Sequence, residues 1–384
     1  MIKQMMRILS QRCCGMDAEL SFSKDISAHE LETLCQLSRK HDLAHIIGVA
    51  LIEHQPENLS AELAEKLQKV IWAAIYRYEK MRHVQEELYA ILEKEAVPFV
   101  PLKGAVIRSL YPEPWMRTSS DIDVLVHPED LERVAALLVE QHQYQRMKKG
   151  PHDISLFAPG EIHVELHYDL IEEGIVGNVN DILHTVWQNV SLTKGTSFQY
   201  EMSDELLFFY HIAHMAKHFV HGGCGVRPVL DLWLLEHRLP QNEKRDDLLE
   251  QGGLLSFANV MRALSRTWFS EEEASTTVLQ AQNYLLCGGV YGNKENRVQV
   301  QQTKKGGRLR YACSRIFLPY DTLKFHYPIL EKHRWLTPIC EVRRWGKLIF
   351  RGGAKRSLNE LSLNAKVGKK EAEETAAFLA EIGL

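Results

Sequence analysis

Apolar positions recur every three or four residues from Ser27 to Ala96, a spacing that predicts helices. SAHELETLCQLSRKHDLAHIIGVALIEH (27–54) opens on Ser27 with Glu30 three positions later, a capping-box signature. SAELAEKLQKVIWAAIYRYEKMRHVQEELYAILEKEA (60–96) reads as one long amphipathic helix with Leu63, Leu67, Ile71, Ala74 and Ile75 at helical spacing. From Val97 the pattern changes. VPFVPLKG (97–104) is a short apolar run, bounded by prolines and ended by Gly104, that predicts a strand running into a helix over AVIRSLY (105–111). The irregular YPEPWMRTSS (111–120) precedes a strand over Asp121–Val126, and a helix opening near Pro128 continues through EDLERVAALLVEQHQ (129–143). DISLFAPGEIHVELHYDL (153–170) predicts a hairpin across Pro159–Gly160, with Ile162, Val164 and Leu166 facing opposite to His163, Glu165 and His167. Helical spacing returns at SDELLFFYHIAHMAKHFVH (203–221) and VRPVLDLWLLEHRL (226–239), and continues to about residue 290.

This succession predicts an α+β protein in which a mixed sheet is flanked by helical regions. The expected division is a helical domain over 1–95, an α+β domain over 96–202, a helical domain over 203–300 and a basic, mainly helical region over 301–384.

Composition changes this picture little. The chain has 384 residues, 45% hydrophobic and 25% charged, with a formal net charge of -4. Those values suit an ordinary globular protein and point to no class of partner. Its seven cysteines form no C-x-x-C pair, so they are expected to be reduced thiols rather than a disulfide framework or a zinc site. No apolar run approaches the roughly 20 residues of a membrane span. The start, MIKQMMRILSQRCCGM, lacks an apolar core like that of a secretory signal, so a cytoplasmic location is expected.

The strand Asp121–Val126 carries the candidate chemistry. Asp121, Asp123 and Leu125 face one way and Ile122, Val124 and Val126 the other. Two carboxylates side by side repel unless a cation sits between them. Oxygen-only ligation favours Mg²⁺, and Glu165, on the polar face of a later strand, is the candidate third carboxylate. Lys103 and Gly104 stand at a strand-to-helix turn suited to phosphate oxygens, and Arg117 lies just ahead of the carboxylates. His163, Glu165 and His167 can also be read as a zinc-binding strand face.

The order strand, Lys-Gly, helix, Arg, Ser-Asp-x-Asp on a strand, then Glu on a later strand resembles the DNA polymerase beta-like nucleotidyltransferase superfamily. Within it, PFVPLKGAVIRSLYPEPWMRTSSDIDVLV followed by IHVELHYDL, with HIAHMAKHF and RPVLDLWLL beyond, resembles a bacterial family of uncharacterised nucleotidyltransferases. The likeness continues weakly into GGVYG (288–292) and RYACSRIFLPYDTLKFHYPIL. It implies a polymerase beta-like mixed sheet and Mg²⁺-dependent transfer of a nucleoside monophosphate, AMP from ATP being the first expectation, to a hydroxyl acceptor. Asp121, Asp123 and Glu165 would be the catalytic and metal-binding residues, and Lys103, Gly104, Arg117, Ser120, His167, His218 and Arg227 would bind the nucleotide. His214, His218, Arg227 and Asp231 fall in motif positions, with His218 and Arg227 expected to line the cleft and Asp231 to orient one of them. One departure stands out: the superfamily's Gly-Ser or Gly-Gly turn is here Lys103-Gly104-Ala105, which has no serine hydroxyl for the phosphates.

Two further features bear on function. His211, His214, His218 and His221 are spaced along one helix face, where they suit packing, a nucleotide pocket or a second metal. A metal there would allow a phosphohydrolase, while a catalytically silent nucleotide-binding regulatory module is the other alternative. Between Thr303 and Arg356 fourteen Lys or Arg face three acidic residues, a difference of +11, with aromatics interleaved. That stretch suits either an anionic or nucleic-acid surface or, as the preferred expectation, a solvated helical face with its aromatics in the core.

Overall fold

The computed structural model describes residues 1–15, 26–171, 174, 177–239, 242–290, 292–350 and 354–384. Tyr291, Arg351 and the side chains of Asp321, Phe325, Lys355 and Arg356, which belong to stretches singled out above, lie outside the described residues.

Four helices come first: α1 (Ile2–Cys14), α2 (Ala28–Lys40), α3 (Ala44–His54) and α4 (Ala61–Lys94). The capping box of α2 is formed. Ser27 Oγ accepts from the Glu30 amide at 3.3 Å, and the Glu30 carboxylate accepts from the Ser27 amide at 2.9 Å. In α4, Leu67 belongs to the large helical core, while Met81, Val84, Leu88 and Leu92 belong to the core of the sheet. One 34-residue helix therefore ties the two cores together.

The middle of the chain folds as β1 (Phe99–Pro101), α5 (Lys103–Ile107), β2 (Asp121–Val126), α6 (Leu131–His142), β3 (Gln145–Lys149), β4 (Asp153–Ala158) and β5 (Ile162–His167). Its five strands lie in the order β1-β2-β5-β4-β3. The pairing β2 to β5 is parallel and the others are antiparallel, which makes the sheet mixed. The fold is thus α+β, a mixed sheet flanked by helical regions.

Strict alternation decides the faces. Ile122, Val124, Val126, Ile154, Leu156, Val164 and Leu166 are buried beneath α6 and the second half of α4. Each fully buried aliphatic side chain of this kind contributes about 1.5–3 kcal/mol. Asp121, Asp123, Glu165 and His167 are left on the opposite face. The hairpin turns through Pro159–Gly160, where the Gly160 φ of +80° suits a residue without a Cβ.

Strand β3 has no sequence signal because QRMKK does not alternate. It is a charged edge strand in which Arg146 and Lys149 pair with Glu132 of α6 at 2.8 and 2.9 Å, and such charges guard an edge against further pairing. After α7 (Val179–His184), the strands β6 (Val190–Leu192) and β7 (Tyr200–Met202) form a short ribbon, too brief for periodicity to reveal. Glu93 near the end of α4 anchors it, accepting from the amides of Ser197, Phe198 and Gln199 at 3.0, 2.9 and 2.8 Å.

The helical region continues as α8 (Asp204–Val220), α9 (Arg227–Arg238), α10 (Glu243–Gly252), α11 (Leu255–Phe269), α12 (Thr276–Cys287) and α13 (Lys294–Lys304). Phe208, Phe209 and Phe219 bring α8 into the centre of the large core. The last helices are α14 (Arg308–Ile316), α15 (Tyr320–His326), α16 (Thr337–Phe350), α17 (Ala354–Lys366) and α18 (Lys369–Glu381). Aromatics of the basic stretch divide here: Tyr311 and Tyr327 are buried in two small cores, whereas Phe317 and Trp335 are exposed. Among the described residues, no helix is long and apolar enough to cross a membrane.

Candidate active site

Parallel pairing of β2 with β5 builds the site. Asp121 stands opposite His163 and Asp123 opposite Glu165, so the carboxylates of two strands share one sheet face. One ligand atom each from Asp121, His163 and Glu165, and likewise from Asp123, Glu165 and His167, lie within 4.8 Å of one another. These carboxylates form one wall of a cleft of about 330 Å³, which α8, α9, the turn at α5 and the Arg117–Ser120 loop also line. Lys103, Gly104, Arg117, Ser120, His218 and Arg227 all border the same cleft.

The loop Arg117–Ser120, which delivers the carboxylate strand, is bonded at every side chain. Arg117 donates from Nε and Nη2 to the two oxygens of Asp231 at 2.9 and 2.8 Å. Thr118 Oγ1 donates to Asp42 at 2.6 Å and receives Arg227 Nη1 at 2.8 Å. Ser119 Oγ accepts from Arg108 Nη2 at 2.6 Å, and Ser120 Oγ donates to Asp121 Oδ2 at 3.1 Å. Tyr111 adds its hydroxyl to Asp231 at 2.8 Å. The loop is therefore held by α9, by the end of α2 and by the segment after α5.

This corrects one expectation: Asp231 orients Arg117, not Arg227 or His218. Arg117 borders the cleft, yet its guanidinium is committed to Asp231 and to the Gly104 carbonyl, at 3.4 Å. Arg227 Nη1 is spent on Thr118 and Asp42. Lys103 places its ammonium 4.5 Å from the centre of the Tyr210 ring, a cation held over an aromatic face beside the carboxylates. Helix α5 is five residues long, so its dipole is small and the positive charge at this turn is mainly that of Lys103. Gly104 has no unusual φ, and an added Cβ there would meet Arg117 Nη1 at an ordinary 3.7 Å.

Charge explains the protonation pattern. Burial, together with the like charges of Asp123 and Glu165, raises the pKa of Asp121. Burial pushes Asp123 upward too, but the hydrogen bond and charge of His167, with Lys103 and His214, outweigh it and leave Asp123 below its usual value. His167 Nε2 lies 3.4 Å from Asp123 and 3.3 Å from Glu165. Burial works against its charge, yet the two carboxylates prevail and its pKa rises to about 9.

The histidine face of α8 does not act as a unit. His211 is buried, donates from Nε2 to the Pro228 carbonyl at 2.9 Å and is pushed by burial down to about 4. His221 donates from Nδ1 to the Lys217 carbonyl at 2.7 Å. His214 and His218 approach each other at 2.8 Å between Nε2 atoms, which requires one ring to carry the proton and the other to accept it. Among the described residues none of the four joins a cluster of three His, Cys, Asp or Glu side chains close enough to share an ion. Sequence reasoning missed Tyr210 and Lys217, which also border the cleft; their spacing from His214 and His218 along α8 was the available signal. The far wall holds Cys224 and Val290, brought together where the Gly222–Gly225 loop meets the start of α13. At Gly222, φ is +113° and an added Cβ would sit 2.5 Å from the Asn293 carbonyl oxygen, so only glycine fits.

A family model described as "Uncharacterised nucleotidyltransferase" matches residues 27–270, from the start of the α2 capping box to the end of α11. No curated protein and no solved structure matches the chain.

Proposed function

We propose that this chain, which belongs to the uncharacterised nucleotidyltransferase family, moves a nucleoside monophosphate, AMP from ATP in the first instance, to a hydroxyl acceptor with release of pyrophosphate. The observation that carries this reading is the register of β2 against β5. It sets Asp121, Asp123 and Glu165 on one face of a cleft whose turn at Lys103 supplies a positive charge. The donor set is two overlapping groups, Asp121, His163 and Glu165 and Asp123, Glu165 and His167, whose carboxylate oxygens suit a hard divalent cation, and burial with the like charges of Asp123 and Glu165 raises the pKa of Asp121. Asp121, Asp123 and Glu165 would hold Mg²⁺, which when bound supplies charge neutralisation for the phosphates and a lowered pKa for the acceptor hydroxyl.

The remaining roles belong to the chain. Lys103 attracts the phosphate oxygens, and Tyr210 beneath it restricts where the ammonium points. Gly104 leaves the turn open on the cleft side. Ser120 donates to Asp121 and keeps that carboxylate aimed along the strand edge. Glu165 or Asp121 takes the acceptor's proton, a general-base contribution of about 10²–10⁴ in rate. Arg117 and Arg227 act by fixing the loop rather than by touching phosphate. His167 holds Asp123 and Glu165 in place, and His218 faces the nucleotide from α8.

The test is thermal stability with ATP, GTP, CTP and UTP, with and without Mg²⁺, in the native chain and in Asp121→Asn/Asp123→Asn. A triphosphate at a hundred times its dissociation constant adds about 2.7 kcal/mol. Mg²⁺-dependent stabilisation that disappears in the double variant supports the reading, and pyrophosphate release on adding candidate hydroxyl acceptors separates a transferase from a silent binding module. No response to any triphosphate in folded protein sinks it.

A further inference from the structure

Helix α16 shows its apolar residues to solvent. Ile339, Val342 and Phe350 are 59%, 73% and 91% exposed, and Trp335, in the turn that leads into the helix, is 72% exposed. Positions 335, 339, 342 and 350, with Gly346 between the last two, recur at intervals of three and four and fall on a single stripe. The helix docks on the protein by its other side. Cys340 is buried with Leu323, Tyr327 and Leu330, Glu341 accepts from the Leu318 amide at 2.7 Å, and Trp345 Nε1 donates to the Ile316 carbonyl at 3.0 Å. The exposed stripe is therefore not a misplaced core face.

One border is cationic. Arg343 and Lys347 are exposed and follow the stripe on one side by one helical position each, the Lys347 ammonium lying 5.3 Å from the Tyr327 ring centre, and Lys332 and Arg334 are exposed in the turn before it, with Arg334 4.6 Å over the Tyr320 ring. Of the two acidic residues between Pro328 and Phe350, Glu341 is turned inward and paired with Arg344 at 2.8 Å. An aliphatic and aromatic stripe edged by arginine and lysine, lying along one helix, is the pattern of a helix that rests in a lipid headgroup layer.

We propose that α16 and the turn before it form a docking surface for an anionic membrane, with Trp335, Ile339, Val342 and Phe350 turned toward the acyl chains and Arg343 and Lys347 at the lipid phosphates. Charge complementarity selects this occupant. A second copy packed on the same face about a twofold axis crossing the helix would put the two cationic flanks on the same side. A nucleic acid would use the cations but leave Ile339 and Val342 in water. The proposal is independent of the chemistry assigned to the cleft.

The experiment is sedimentation of the full chain with vesicles of phosphatidylcholine alone and of phosphatidylcholine mixed equally with phosphatidylglycerol. Binding is expected to the mixed vesicles, at least tenfold tighter than to the neutral ones, and weakened by salt. Arg343→Gln and Lys347→Gln should each lower it about fivefold, the worth of one cation at an anionic surface. Ile339→Asp/Val342→Asp should abolish it while leaving the melting temperature unchanged, since both side chains are exposed. Brominated acyl chains should quench tryptophan emission, and Trp335→Phe should remove that quenching. Equal binding to both vesicles, or binding indifferent to Ile339→Asp/Val342→Asp, overturns the proposal. So does a failure of folded protein to bind either vesicle. In that event, a concentration-dependent dimer lost in Ile339→Asp would assign the face to a second copy.

Discussion

Arg117 and Asp231 form a two-pronged ion pair, Nε and Nη2 to the two carboxylate oxygens at 2.9 and 2.8 Å, with 10% and 2% of their side-chain surfaces exposed. Each partner shifts to favour its charge: burial opposes ionisation of both, and the opposite charge wins. Removing one partner strands a buried charge, so Arg117→Ala or Asp231→Ala is expected to cost about 3–5 kcal/mol by urea unfolding. Arg117→Met/Asp231→Leu should cost less than either single change, because no uncompensated charge remains. Losses below about 1 kcal/mol for both single variants would mean that the pair does not hold the loop.

Asp121 and Asp123 should separate in the metal-free protein. Burial and the like charges of its neighbours disfavour the ionised Asp121, so Asp121→Asn is expected to leave the melting temperature unchanged or higher. Asp123 is bonded to His167, and Asp123→Asn should lose about 1.5–3 kcal/mol, the worth of a hydrogen bond between charged groups. Both variants should nonetheless lose Mg²⁺-dependent stabilisation by a triphosphate. Calorimetry in a chelator, then with Mg²⁺ and ATP, reads both effects.

Above neutrality, stability without metal should follow His167. Its folded pKa of about 9 lies above the ordinary histidine value of 6.5, so its contribution is complete below about pH 6.5 and is lost as pH rises through 9. The full swing is about 3 kcal/mol. Melting curves in chelator from pH 6.5 to 9.5 should decline, and His167→Gln should flatten them.

On the acid side the sign reverses. Burial lowers His211 and His41 to about 4, and both are fully or almost fully enclosed. The unfolded chain takes up their protons below about pH 6.5 while the folded chain refuses them. Stability should fall by up to about 1.4 kcal/mol per pH unit for each residue between 6.5 and 4. His41 has no hydrogen-bond partner on either ring nitrogen, so His41→Phe should reduce the acid slope at little cost in packing. An unchanged slope in that variant would assign the acid lability elsewhere.

Local features were legible in the sequence and long-range ones were not. The α2 capping box and the two faces of β2 and β5 each follow from residues within a few positions of one another. Asp121, Asp123 and Glu165 could be grouped because strand alternation names a face even before the pairing is known. By contrast, nothing near Asp231 distinguishes Arg117 from Arg227 as its partner; the choice depends on how α9 crosses the loop. The histidine spacing on α8 placed four rings along one face but could not show that His211 and His221 would turn to backbone carbonyls. Strand β3 escaped because an edge strand protected by charge loses the alternation by which strands are found.

The Arg117–Asp231 pair also sets an order of events during synthesis. The two residues are 114 positions apart, so when the carboxylate strand has left the ribosome its anchoring helix does not yet exist. At about 5–20 residues per second, several seconds pass in which Arg117 has no counter-charge and the face that becomes the cleft has no opposite wall. The sheet can pair in that interval from residues already made, whereas the cleft must wait for α9. A nascent chain stalled short of residue 231 would carry the acidic strand without the geometry that gives it a use.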